Sequence, residues 1–354
     1  MLTLLHAADL HLDSPFRSLP AAEAQARRAG QRKALEQLRD LALDHSADLV
    51  LLPGDLFDSQ QIYPETLEAL ARTLGSLPCP VVIAPGNHDY YSDKSPYAQP
   101  IWPENVHIFT SETVTAFSFP ALGVTVYGCA FTSPFRDNDP LAGFTAAKDG
   151  TVAIGCFHGD VGKQSRYAPI APESLAQSGL AYAALGHVHA LEHHIDAPTP
   201  WAYSGCAQGR GFDELGDKGA LLVRLEGGQV GGKLLPLAGP RYWVLSLPVG
   251  TDLAQALAGK EEDYVRLTLT GQSQPPDLPT LQALGDSLCK VFQLRDETVP
   301  PLELWARAEE DTLTGHFVRE MRARLDAADE TQHTTVLAAL RWGLAALEGR
   351  EGPQ

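Results

Sequence analysis

Five short segments of this 354-residue chain carry side chains suited to holding cations: Asp9 with His11, Gly54-Asp55, Gly86-Asn87-His88-Asp89, His158-Gly159-Asp160, and Gly186-His187-Val188-His189. Seven of these residues, Asp9, His11, Asp55, Asn87, His158, His187 and His189, offer carboxylate, amide or imidazole donors and no thiolate. That donor set suits Mn2+, Fe or Zn2+ better than Ca2+ or an iron–sulfur cluster. It exceeds what one ion uses and suffices for two divalent ions sharing a carboxylate at about 3.5 to 4 Å separation. Asp-x-His and His-x-His place alternate side chains on one side of an extended segment, so each pair can reach one site together. A lone His or Asp of this kind is more often a satisfied turn or core residue. The reading rests on five segments occurring jointly, each directly after an apolar run.

Those runs are the elements that must position the donors. Leu2 to Leu5, Ala47 to Leu52, Val81 to Ala84, Val124 to Tyr127, Val152 to Cys156 and Tyr182 to Leu185 read as buried strands. Between the first two, Ala21 to Asp44 is rich in Ala, Leu, Arg and Glu, with Leu35, Leu38, Leu41 and Ala42 at helical spacing, which predicts a crossover helix. Alternation of this kind is the mark of a layered α/β domain, and in open α/β sheets ligands bind beyond the carboxyl ends of the strands. The five segments are therefore expected to converge although they span 180 residues. Glycines before Asp55, Asn87 and His187 fit tight turns after strands, where positive φ or close backbone approach is needed. Ala220 to Leu225 and Val230 to Leu235, joined by Gly227-Gly228, predict a hairpin at one sheet edge.

Three domains are expected: a catalytic domain over residues 1–240, a small α+β capping domain over 241–300, and a C-terminal helical segment over 301–354. In the second, Tyr264 to Thr270 alternates as a strand and Leu281 to Phe292 reads as a helix. In the third, Leu313, Phe317, Met321 and Leu325 form one helical stripe and Val336, Leu340, Leu344 and Leu347 another, separated by polar Asp326 to Thr335. Arg350 to Gln354 are expected to fray.

With 44% hydrophobic and 20% charged residues, the chain is of ordinary globular make-up, which excludes collagen-like, disordered and disulfide-scaffold classes. No run is long enough to span a membrane, and Met1 to Asp9 lacks a basic n-region, so a signal peptide is not expected. Cys79, Cys129, Cys156, Cys206 and Cys289 are odd in number and never in a CxxC pair, which points to reduced thiols in a cytoplasm. Twenty-seven basic against 44 acidic residues give a net charge of -17, so any contact with nucleic acid needs a local basic patch or bound cations.

The five blocks resemble the calcineurin-like metallophosphoesterase superfamily, whose pattern is D-x-H, G-D-x-x-D/H, G-N-H-D/E, a later H, and G-H-x-H. His6-Ala7-Ala8-Asp9-Leu10-His11-Leu12-Asp13-Ser14-Pro15-Phe16 and the closing Gly343-Leu344-Ala345-Ala346-Leu347-Glu348-Gly349 are similar to the YhaO-type branch of SbcD-like DNA repair exonucleases. The resemblance implies an α/β metallophosphoesterase sandwich, with mixed sheets flanked by helices. It implies one metal held by Asp9, His11, Asp55 and His189, and a second held by Asp55, Asn87, His158 and His187, with Asp55 bridging. Two divalent ions, Mn2+ first and Fe or Zn2+ as alternatives, would clamp the phosphodiester oxygens and lower the pKa of a bridging water. His88 would protonate the leaving oxygen, and Asp89 would orient an imidazole and raise its basicity. Asp58 stands where one branch of the superfamily has a histidine, and an outer hydrogen-bond acceptor is its first reading.

By the same resemblance the function is dinuclear-metal-dependent DNA exonuclease activity in DNA repair, with DNA and an SMC-like coiled-coil ATPase of the SbcC type as partners and a homodimer as its assembly. The C-terminal stripes would dock on that ATPase or pack within the chain. A stand-alone phosphodiesterase or phosphatase acting on small molecules, and a non-catalytic scaffold, are the alternatives. Arg27, Arg28, Arg32 and Lys33 read as a solvated helix face before a phosphate patch. Arg17, Arg136, Arg166 and Arg210 lie by motif loops, where a guanidinium could grip a phosphate or form a surface ion pair. His6 reads as a buried, hydrogen-bonded histidine, and His193 and His194 as surface residues.

Overall fold

The computed structural model describes residues 1–17, 19, 21–162, 164–272, 276–298, 305–347 and 349. The chain divides into two compact units, Met1–Tyr242 and Trp243–Gln354.

The first unit runs β1 (Leu2–His6), α1 (Ala21–Asp44), β2 (Leu49–Leu52), α2 (Pro64–Gly75), β3 (Val81–Ile83), β4 (Val106–Ile108), β5 (Thr115–Phe119), β6 (Val124–Gly128), β7 (Val152–His158), α3 (Pro172–Gln177), β8 (Tyr182–Gly186), β9 (Glu192–His194), β10 (Trp201–Tyr203), β11 (Gly219–Glu226) and β12 (Gln229–Pro236). Two six-stranded mixed sheets result, ordered β12-β11-β1-β2-β3-β4 and β5-β6-β7-β8-β10-β9. Strands β1 to β4 are mutually parallel, as are β6, β7, β8 and β10; the hairpin β11–β12 extends the first sheet antiparallel to β1.

The apolar runs lack polar alternation because both faces of these strands are covered. Successive residues point to opposite faces, so Leu4, Leu49, Leu51 and Val82 meet Val124, Val126, Ile154 and Ala184 between the sheets. Leu5, Val50, Leu52, Val81 and Ile83 face Ala34, Leu35, Leu38 and Ala42 of α1 and Leu70 and Leu74 of α2. The outer face of the second sheet, Phe157, Ala183 and Leu185 among it, packs on Leu175 of α3. The result is the mixed-sheet sandwich flanked by helices that the sequence resemblance implied.

In the second unit β13 (Tyr242–Pro248), β14 (Tyr264–Thr270) and β15 (Val291–Asp296) form a sheet in that order, with the short α4 (Leu253–Ala256) and α5 (Leu278–Leu288) packed on it. Helices α6 (Leu313–Ala327) and α7 (Glu330–Leu347) enclose Val318, Met321, Leu340 and Leu344 with Ala308 and Trp305. The predicted helix Leu281 to Phe292 overruns. The real helix ends at Leu288, and Val291 and Phe292 pair in parallel with Tyr264 and Val265. A short apolar run satisfies helical and strand spacing alike, and here a sheet edge beside it decides the matter. The Phe292 ring lies against Gly285 of the helix, where a side chain would have no room. The residues around the expected domain boundary at 300/301, Arg350 to Gln354, for which fraying is expected, and Glu348 of the closing motif lie outside the described residues.

Candidate metal centre

Strands β1, β2 and β3 of one sheet and β7 and β8 of the other end at the same edge of the sandwich, and each is followed by its motif. The turns after them are strained: Asp9, His11, Asp55 and His187 all hold positive φ (51°, 44°, 50° and 103°), although none is glycine. Such backbone is costly and persists where the surroundings over-determine it, as at ligand sites. Gly54 (φ 89°) has a stricter reason, since a Cβ there would meet the imidazole of His158.

The structure brings the seven predicted donors together. His11 Nε2 lies 3.1 Å from His189 Nε2 and 3.8 Å from Asp55 Oδ2, and His189 Nε2 lies 3.9 Å from Asp9 Oδ1. On the other side of Asp55, His158 Nε2 lies 3.5 Å from Asp55 Oδ2 and 3.0 Å from Asn87 Oδ1, with the His187 ring 5.2 Å from that of His158. Donor atoms of Asp9, His11 and His189, and separately of Asp55, His158 and His187, come within 4.8 Å of one another. Asp9, His11, Asp55, Asn87 and His158 are buried.

Two features of the donor set show that a pair of cations fits. The first is tautomeric. His158 Nδ1 faces the carbonyl oxygen of Pro53 at 3.0 Å, and a carbonyl only accepts, so the proton sits on Nδ1. Its Nε2 lone pair then points at two oxygen acceptors, Asn87 Oδ1 and Asp55 Oδ2. Likewise His189 gives its Nδ1 proton to Glu214 Oε1 at 2.7 Å, leaving its Nε2 bare against His11. Lone pairs turned on one another repel unless a cation lies between them, and carboxylates or carbonyls behind ligating imidazoles are the usual orienting device. The second feature is charge. Burial, then the charge of Asp55, raises Asp9 well above the carboxylate range, although the His187 N–H bonds both its oxygens at 3.1 Å. Burial also opposes ionisation of Asp55, but His158, His11 and His88 bring it down to about 2. Burial and the charge of Asp55 thus both favour a proton on Asp9, a place a divalent ion can take. Burial lowers His11 to about 4, and burial with His158 nearby does the same for His187, so both imidazoles are neutral, as ligands must be.

The remaining predicted residues fall as follows. His88 is exposed at the rim. Its N–H donates to Asp55 Oδ1 (3.0 Å) and its Nδ1 to the carbonyl oxygen of Asp58 (2.9 Å), so Nε2 is the end left for chemistry. Asp89 sits elsewhere than expected. Its carboxylate accepts from the N–H groups of Phe57 (3.1 Å) and Gly86 (2.8 Å) and from the Tyr97 hydroxyl, and the partner of His88 is a backbone carbonyl instead. Asp89 thus ties the second and third motif loops together. Asp58 Oδ1 lies 3.4 Å from His11 Nδ1 and accepts from Ser14 Oγ (2.9 Å) and Arg210 Nη1 (3.0 Å).

Among the arginines, Arg210 bridges Asp58 and Glu214 behind His11 and His189. Arg27 is not part of a solvated face: it is buried, bonds the Gly209 carbonyl and lies over the Phe16 ring. Arg136 is buried against Cys129 Sγ and Asn138. His6 bonds the Tyr182 hydroxyl and the Leu185 carbonyl, and His193 and His194 are exposed. Glu214 escaped the sequence reading. It lies 25 residues beyond His189, next to Asp213, in a loop with no periodicity or motif spacing to single it out.

A sandwich of two mixed sheets with a carboxylate–imidazole centre at one strand edge defines a metallophosphoesterase. The chain belongs to the calcineurin-like phosphoesterase family, whose model matches residues 2–198. Members of this family use a dinuclear divalent metal centre. Over 245 residues, 65% of this chain and 59% of the relative, it is 32% identical to the uncharacterized metallophosphoesterase YhaO of Bacillus subtilis. It is 27% identical to the DNA double-strand break repair protein Mre11 of Aeropyrum pernix over 243 residues, 63% of this chain and 58% of that one. It is also 27% identical to SbcD, a subunit of the nuclease SbcCD of Bacillus subtilis, over 258 residues, 60% and 63% of the two chains. The chain thus spans about three fifths of the length of these relatives.

Proposed function

We propose that this protein is a metal-dependent DNA exonuclease that hydrolyses phosphodiester bonds at DNA ends in repair. The observation that carries the reading is the ring of donors around Asp55 whose bare nitrogens and carboxylates face inward, and two relatives named for double-strand break repair and for a nuclease give it direction. Asp9, His11, Asp55 and His189 would hold one ion, and Asp55, Asn87, His158 and His187 the other. When bound, the two ions, Mn2+ first and Fe or Zn2+ as alternatives, supply positive charge to the phosphodiester oxygens and acidify water. The chain does the rest. Glu214 and the Pro53 carbonyl fix the tautomers of His189 and His158, Asp89 locks the loops that carry Asp55 and Asn87, and His88, its Nδ1 proton held by the Asp58 carbonyl, delivers to the leaving oxygen the second proton that its imidazolium form carries on Nε2, which solvent then restores.

We extend the reading to an SMC-like ATPase of the SbcC type as partner, a homodimer, and a reducing cytoplasm. The last is supported by five cysteines that are all free and buried, and among the described residues no helix is long and apolar enough to cross a membrane. The second reading, a phosphodiesterase of small molecules, is favoured by the net charge of -17, which repels a polyanion. End-labelled DNA and a nitrophenyl diester, each incubated with the Mn2+-loaded protein, separate the two. Progressive shortening of the DNA is expected, and cleavage of the small ester alone would leave only the second reading standing.

A further inference from the structure

Beside the metal centre lies an open cleft of about 500 Å³ lined by Asn87 and His88 of the site and by Tyr90, Phe135 and Tyr167. Its far wall is aromatic. The Phe135 and Tyr167 rings lie 5.8 Å apart, the Tyr167 ring is 4.8 Å from that of His187, and the Arg166 guanidinium lies 4.2 Å over the Phe135 ring. The wall is rigidly mounted: Arg136 N–H donates to the Arg166 carbonyl and Ala168 N–H to the Arg136 carbonyl, both at 2.8 Å, while buried Arg136 anchors the first of these segments. Yet Phe135 is left 44% exposed. A fixed, exposed aromatic ring that continues into the metal-ligand shell through Tyr167 has the form of a stacking platform, since aromatic and guanidinium faces take up flat heterocycles without regard to their sequence.

We propose that this wall receives one unstacked nucleobase, that of the nucleotide adjoining the scissile phosphate, so that the preferred substrate is a single-stranded or frayed DNA end. The proposal rests on the nuclease reading and deepens it. A phosphate held among Asp55, Asn87 and His88 puts its own nucleoside into the cleft that two of those residues line. A base still paired and stacked in a duplex offers no free face to the Phe135 ring, so the end must open first, at the cost of one stacking step.

The test crosses Phe135→Ala and Phe135→Trp with DNA strands whose terminal nucleotide carries its base or is abasic, in the Mn2+-loaded full chain. For the natural protein, removing the terminal base should raise KM about tenfold, and Phe135→Ala should raise KM by a similar factor on the intact strand and leave the abasic strand unaffected. Phe135→Trp should restore binding. A terminal 2-aminopurine should lose fluorescence on binding the natural protein and the Trp variant but not the Ala variant. Equal effects of Phe135→Ala on both strands, or no effect on either, overturns the platform while the nuclease reading stands. Failure of the natural protein to shorten any strand overturns both.

Discussion

His88 and Asp55 are hydrogen-bonded neighbours with different duties, and substitution should separate them. His88→Ala removes the imidazole of the set that is exposed at the rim, whose ring packs edge-on against that of His11 (4.9 Å), and leaves all seven donors of the centre in the chain. It should keep both metals and lose turnover by about 10²- to 10⁴-fold, the usual worth of a positioned proton donor. Asp55→Ala removes the carboxylate proposed to be shared between the ions and should lose metal as well as turnover. Metal analysis of the purified variants alongside steady-state rates checks both outcomes, and a His88 variant as fast as the natural protein would dismiss the acid role. At this scale the sequence was legible where donors sit in short motifs after strands. Behind them it singled out Asp58, which stands in a motif, and was silent on Glu214 and Pro53. Those two act through a hydrogen bond across 25 and 105 positions respectively, and such pairs have no spacing rule to be read by.

The elements were legible in proportion to how completely burial dictates their pattern. The six apolar runs, α1 and the β11–β12 hairpin could be read directly, because strands covered on both faces and a helix covered on one leave unambiguous periods. Strands β4, β5, β9 and β10 were not anticipated; the first two are only partly buried, and their pattern is too weak to compete with loop chemistry. Nor was α2, whose Pro64 starts its first turn. The turn after β2 supplies a prediction at this scale. Gly54→Ala combines a forbidden φ with a Cβ driven into His158, so it should cost about 3 kcal/mol and also impair metal binding, since His158 must move. Gly143→Ala, also at positive φ (73°) but with open space around it, should show the backbone penalty alone. Urea unfolding with metal titration distinguishes the two.

At the scale of the molecule, the two sheets are held together by apolar contact and by polar ties, among them His6 of β1, which is wholly buried and reaches the Tyr182 hydroxyl and Leu185 carbonyl of β8. Burial lowers its pKa from 6.5 to about 3, against a smaller opposing effect of the Leu185 carbonyl. Between those values the unfolded chain binds a proton that the folded chain refuses. Stability from this residue is therefore complete above pH 6.5 and declines as pH falls toward 3, by about 1.4 kcal/mol per unit. Urea unfolding of metal-free protein at pH 6.5 and 4.5 should show His6→Asn losing about 2 to 3 kcal/mol less than the natural chain. A parallel decline in both would mean that other groups carry the acid sensitivity.

The place of β1 in its sheet has a further consequence. It is an interior strand, with β2 on one side and β11 on the other. The ribosome delivers it more than two hundred residues ahead of β11, which at ordinary translation speed is a wait of roughly 10 to 45 s. Throughout that interval one row of its amide and carbonyl groups has no mate, beside a run of leucines. The nascent protein must therefore be shielded from sticking to its neighbours until the hairpin emerges and closes the gap.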